Sequence, residues 1–315
     1  MTIRSRNVIL HESKLSLLGL FVMMHFVLPV SILCMIFIFI NKPVVQVILV
    51  INLILIIYPN KEWPSFRNAV FQLISGSVPF HIYGEKNIQE LIDKNAKVLF
   101  YLEPHGIVPI GPLFFGLYIN YLFPSIYPRT CVASILLRIP FFRQFYSWIG
   151  CVPANKCTIE NVIKNEKRNI CILPGGVAEI FTSNVDKEVL YMKKRKGFIK
   201  IASKYHLYLC PVYIFGNTQL YVHDVKPGTI IERLSRYLRS PILYFWGKGG
   251  IPFIPYNTTL TAVIGKPFRL KSHDYKQLGY EKAIEKLHKI SMQKIQQIYN
   301  KYNDKLHYNK PLIII

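Results

Sequence analysis

The chain has 315 residues, room for one large domain or one domain with an anchor. Apolar residues make up 51% of it and aromatics 14%, which excludes an intrinsically disordered protein. The formal charge is +22, from 39 basic and 17 acidic side chains, so the chain needs an anionic partner that tolerates apolar contact. Membrane lipid and phosphorylated acyl carriers fit, whereas nucleic acid fits the charge but not the hydrophobicity.

Leu15 to Ile40 is almost wholly apolar. At about 1.5 Å per residue such a helix reaches across a hydrocarbon core of about 30 Å. Asn41-Lys42-Pro43 interrupts it, and a shorter apolar run follows from Val44 to Tyr58. The pair predicts a transmembrane helical hairpin that anchors residues 1–62. Arg4, Arg6 and Lys14 precede it, Lys61 and Arg67 follow it, and the turn holds only Lys42. The positive-inside rule then puts both termini in the cytosol. The second arm alone is short for a full span.

From residue 63 the pattern changes to short apolar runs alternating with mixed ones. The predicted strands are Lys97 to Tyr101, Thr130 to Ala133, Asn169 to Leu173, Leu207 to Phe215, Pro241 to Trp246 and Leu260 to Ile264. Helical stretches lie between or after them, at Thr158 to Glu166, Arg195 to Tyr205, Gly228 to Arg239 and Tyr280 to Leu306. This alternation predicts an α/β domain with a largely parallel sheet flanked by helices, whose chemistry sits in loops at strand carboxyl ends. Six cysteines, at 34, 131, 151, 157, 171 and 210, lack the spacing of a zinc knuckle or redox pair. They read as reduced thiols, and no metal site is expected.

Three segments carry candidate chemistry. Glu103-Pro104-His105-Gly106 follows a predicted strand, and Pro and Gly would hold the histidine on a stiff loop. Pro174-Gly175-Gly176-Val177-Ala178-Glu179 follows another, with two glycines that let a substrate approach the backbone. Lys193-Lys194-Arg195-Lys196-Gly197-Phe198 opens a helix, where the macrodipole already favours anions.

In this order, and followed by Cys210-Pro211-Val212-Tyr213-Ile214-Phe215-Gly216, these segments resemble the diacylglycerol acyltransferase type-2 family, which includes monoacylglycerol and wax-alcohol acyltransferases. Arg138-Ile139-Pro140, Trp246-Gly247 and Val263-Ile264-Gly265-Lys266-Pro267 also fit, so the resemblance covers nearly the whole chain. Glu103 stands where the family's signature has its first histidine, so only His105 inherits a catalytic role. Asn217 stands where the family often has an acidic residue or Gln, and nothing is assigned to it.

The resemblance implies an acyl-CoA-dependent O-acyltransferase, with residues 63–315 as the acyltransferase domain. Acyl-CoA is the co-substrate, there is no other cofactor, and diacylglycerol leads as the neutral lipid acceptor. His105 would remove the acceptor's proton, and Glu179 would orient the imidazole. Glu103, Pro104 and Gly106 would frame the site, Gly175 and Gly176 would face the oxyanion, and Arg195, Lys196 and Gly197 would hold phosphates of the donor. It further implies a multi-pass protein of the endoplasmic reticulum membrane, with lipid droplets a second location and a homo-oligomer left open. The rival readings are a lipid hydrolase, a non-enzymatic lipid-binding protein and a nucleic-acid binder. No Gly-x-Ser-x-Gly elbow supports the first, and only Phe198 is interleaved with the basic run for the last.

Overall fold

In a computed structural model of the chain, which describes residues 43–58, 61–75, 79–139, 141–183, 186–238, 243–251 and 254–315, helices and strands alternate. The chain begins with α1 (Pro43–Ile57), α2 (Pro64–Ser75), β1 (Phe80–Tyr83), α3 (Lys86–Asp93), β2 (Val98–Glu103) and α4 (Ile110–Leu122). It continues through β3 (Pro128–Val132), α5 (Phe142–Trp148), β4 (Cys151–Pro153), α6 (Lys156–Lys164), β5 (Asn169–Ile172), α7 (Val177–Ile180) and β6 (Glu188–Leu190). It closes with α8 (Gly197–Lys204), β7 (Tyr208–Phe215), α9 (Ile230–Leu238), β8 (Leu260–Ile264), α10 (Ser272–Leu278), α11 (Tyr280–Asn303) and β9 (Leu312–Ile314).

Seven strands form one sheet in the order β1-β8-β7-β2-β5-β3-β4, and β6 pairs with β9 apart from it. Every ladder is parallel except β7 with β8. The middle strand β2 is buried along its whole length. Its side chains alternate between two cores. Leu99 and Tyr101 pack with α8 and α11, and Val98, Phe100 and Leu102 pack with α3 and α4. Covering on both faces is why this strand reads as an unbroken apolar run rather than an alternating one. On α11, Ile284, Leu287, Ser291, Ile295 and Ile298 are buried, the three-and-four spacing of one helical face. The carboxyl ends of β2, β5 and β7 therefore meet at one edge, where the candidate loops emerge.

Two expectations need correction. No helix among the described residues is long and apolar enough to cross a membrane. This overturns the transmembrane hairpin, and with it the multi-pass placement in the endoplasmic reticulum with both termini cytosolic. The second arm is α1, whose 15 residues rise only about 22 Å. It is tied to the body, because Arg143 and Gln144 of α5 both donate to the Leu55 carbonyl oxygen. The first arm, Leu15 to Ile40, lies outside the described residues, as does Cys34. The second correction is the strand at Pro241 to Trp246. Pro241 and Ile242 lie outside the described residues, and Trp246 makes one isolated bridge to Val222. β8 pairs with β7 on one side and β1 on the other, so this segment does not join it. The five described cysteines are free thiols.

Candidate active site

β2 ends at Glu103, and the next three residues turn under the carboxyl end of β7. Gly106 makes that turn possible. Its φ is +65°, and a Cβ there would stand 2.6 Å from Asn217 Nδ2. Asn217 follows β7 and is 1% exposed. Its Nδ2 donates to the carbonyl oxygens of His105 at 2.8 Å and Pro104 at 3.3 Å, and its Oδ1 accepts from Gly111 N–H at 2.9 Å. One amide side chain thus fixes the loop on both sides of the histidine.

The imidazole of half-buried His105 points Nδ1 at the Gly106 carbonyl oxygen, 2.8 Å away. A carbonyl only accepts, so Nδ1 carries the proton and Nε2 presents a lone pair. Burial holds the ring's pKa below 6.5, and the Gly106 bond pulls it back only in part. The ring is therefore a neutral base of defined tautomer.

Glu179 lies on α7 and is 1% exposed. Its Oε1 accepts from the backbone N–H of His105, and its Oε2 accepts from Tyr191 N–H at 3.1 Å. The carboxylate expected to orient the imidazole instead grips the histidine's main chain. Burial raises its pKa to about 7, although the His105 N–H, Glu103 and Tyr191 favour the charged form. Glu103 is completely buried. As a carboxylate it would meet no donor at either oxygen. Burial first, and then the charge of Glu179, push its pKa far above the usual carboxylate range. Glu103 is thus held as a neutral acid beside Glu179.

The remaining sequence candidates divide. Pro104 is buried in the turn. Gly175 packs on Glu179, and a Cβ there would lie 1.9 Å from its Oε2. A Cβ at Gly176 would stand in open space, so this side of the turn is open to a ligand. Arg195 joins the site, with Nη2 donating to Gly175 O at 3.2 Å and its guanidinium 5.0 Å from the Tyr191 ring centre. Lys196 turns the other way, to Glu285 on α11 at 3.3 Å, and Gly197 begins α8. Sequence reasoning missed Asn217 and Tyr191. The signal for Asn217 was its position one residue after the Phe215-Gly216 strand end. Tyr191 acts through its backbone and left no side-chain signal. Among the described residues, no group of three or more His, Cys, Asp or Glu side chains is arranged to hold a metal ion.

Residues 59–314 match the family model described as diacylglycerol acyltransferase. The chain belongs to the diacylglycerol acyltransferase family. Among its relatives, diacylglycerol O-acyltransferase 2A of Umbelopsis ramanniana is 27% identical over 255 residues, covering 76% of this chain and 70% of that protein. 2-Acylglycerol O-acyltransferase 1 of Bos taurus is 26% identical over 261 residues, covering 78% of this chain and 75% of that one. Acyl-CoA wax alcohol acyltransferase 2 of Mus musculus is 25% identical over 194 residues, covering 58% and 57%. As a member of the diacylglycerol acyltransferase family, the chain is an acyl-CoA-dependent O-acyltransferase with a neutral-lipid acceptor.

Proposed function

We propose that the chain transfers the acyl group of acyl-CoA to diacylglycerol, giving triacylglycerol, with residues 63–315 as the catalytic unit. The observation that carries this reading is the state of His105, neutral, with Nδ1–H on Gly106 and Nε2 making no hydrogen bond among the described residues. Nε2 takes the acceptor's hydroxyl proton as that oxygen bonds to the thioester carbonyl carbon. The C–S bond then breaks, and the imidazolium returns its proton to the departing CoA thiolate. Glu179 supports the imidazolium at a distance and holds the loop through its N–H bond. Backbone N–H groups of the Gly175–Gly176 turn face the oxyanion. Arg195, beside the Gly175 carbonyl, holds donor phosphates with Gly197 at the start of α8, and Lys196, paired with Glu285, adds charge from farther away.

Diacylglycerol is chosen because the family model and the fungal relative carry that acceptor in their names. The bovine and murine relatives named for 2-acylglycerol and wax alcohol favour a second reading, with monoacylglycerol or a long-chain alcohol as acceptor. Labelled acyl-CoA supplied to purified protein in mixed micelles, with the three acceptors in turn, separates them. Triacylglycerol should be the main product, and wax ester or diacylglycerol in its place would overturn the acceptor assignment. In the same assay His105→Ala should lower turnover about a hundredfold or more. Full turnover in that variant, at normal protein recovery, would remove the base.

A further inference from the structure

Glu188 opens β6 and is 1% exposed, yet the chemistry above does not use it. Its Oε1 accepts from Thr218 Oγ1 at 2.6 Å and from the Tyr308 hydroxyl at 2.6 Å. Those two hydroxyls lie 3.3 Å apart, and the Tyr308 oxygen also accepts from Gly216 N–H at 3.4 Å. Side chains from two distant segments thus grip the turn 216–218. At its centre is Asn217, which holds the His105 carbonyl.

The same strand reaches the other side of His105. Three residues past Glu188, the Tyr191 N–H binds Glu179, which binds the His105 N–H. The segment 188–191, β6 and the residue after it, therefore governs the N–H of His105 through Glu179 and its C=O through Asn217. β6 has three residues and pairs with β9, and a two-stranded ladder of that length is marginal on its own. Neighbouring bonds extend the ladder. Glu188 N–H donates to Pro311 O at 2.9 Å, Ile315 N–H donates to Leu190 O at 2.8 Å, and Met192 and Lys193 both donate to Ile315 O.

We propose that residues 308–315 are a positioning strap for the catalytic loop, and that Tyr308 acts on His105 through Thr218 and Asn217. The inference rests on the reading of His105 as the base. Tyr308 is a positioning residue, because its hydroxyl meets Glu188, Thr218 and Gly216 and no reacting atom. The reach matters because a displacement of about 1 Å at a base can cost up to a hundredfold in rate.

Tyr308→Phe removes one oxygen and leaves the ring against Phe215, their centres 5.3 Å apart. We expect kcat to fall about tenfold with the KM for acyl-CoA unchanged. Thr218→Ala should behave alike, and Thr218→Ser, which keeps the hydroxyl, should restore kcat. Tyr308→Phe combined with Asn217→Ala should be no worse than Asn217→Ala alone, since the two act in one line. A role confined to stability would lower Tm and leave the kcat of the folded enzyme intact, and that result overturns the strap. If Tyr308→Phe does not fold, the Thr218→Ala and Thr218→Ser pair decides, and equal kcat in both overturns it. Unchanged kcat in these variants beside an inactive His105→Ala rejects the strap alone. An active His105→Ala rejects the reading beneath it.

Discussion

As the proposed base, His105 depends on what its main chain meets as well as on its side chain. Gly106 O selects the tautomer, Asn217 holds the peptide carbonyl and Glu179 holds the peptide N–H. Two consequences follow for pH. Burial keeps the imidazole neutral below its usual 6.5, so the acid limb of kcat/KM should have its midpoint under that value. A limb at or above 6.5 would mean the ring is not held as described. Glu179 behaves oppositely. Its pKa is 4.5 in the unfolded chain and about 7 in the folded one, so the native state binds the extra proton between those values. Its contribution to stability is therefore complete below pH 4.5 and lost as pH rises through about 7. Glu179→Gln should flatten the pH dependence of Tm across that window, and an unchanged slope would contradict the raised pKa of the buried carboxyl.

At the scale of elements, the site is made by strand ends and one helix start. β2 delivers Glu103 and His105, β5 leads into the Gly175–Gly176 turn, and β7 delivers Asn217. The basic run before α8 was read as one phosphate-binding unit, but its members part company. Arg195 lies on the Gly175 carbonyl, whereas Lys196 pairs with Glu285 across a solvent-exposed gap. The two substitutions should therefore differ. Arg195→Ala should raise the KM for acyl-CoA and also lower kcat about tenfold or more, because it loosens the turn beside Glu179. Lys196→Ala should raise KM alone, by a smaller factor that shrinks with added salt. Steady-state kinetics at two ionic strengths checks this, and identical profiles for both variants would return the run to a single role.

At the scale of the whole molecule, the segment before α2 is locked to the sheet by charge. Glu62 meets Arg67 of α2, Arg129 of β3 at 3.1 Å, and Arg168, just before β5, at 2.5 Å. The Arg168 guanidinium lies 3.4 Å from the centre of the Tyr127 ring. Burial alone would push the Glu62 carboxyl up, but Arg168, Arg129 and Arg67 together outweigh it and hold the pKa below 4.5. Its stabilising contribution is present above pH 4.5 and is lost as pH falls through the lower native value. Glu62→Ala leaves Arg67 without a carboxylate, and Arg129 and Arg168 with only Glu166 at 2.8 and 3.9 Å, and should cost about 3 kcal/mol. The denaturation midpoint measures this, and a loss under about 1 kcal/mol would reduce the cluster to a surface ion pair.

The sequence alone determined the sheet's inner strands, the long terminal helix and the two loops bearing His105 and Glu179. Apolar periodicity and Pro/Gly punctuation are local signals, and Val98–Glu103, Tyr208–Phe215 and Leu260–Ile264 lay close to where they pointed. β4, β6 and β9 escaped because three residues hold too little of a period-two pattern. The apolar run at Val44 to Tyr58 was read by length and hydropathy as half of a membrane hairpin, whereas the fold makes it a short helix tied to α5. Only tertiary structure could decide that Glu179 binds the backbone of a residue 74 positions earlier, or that Asn217 closes the same loop. Those contacts depend on which strands lie side by side, and parallel strands joined by long crossovers leave no trace of their order in local spacing. Burial, which neutralises Glu103 and lowers the pKa of His105, exists only once both faces of the sheet are covered.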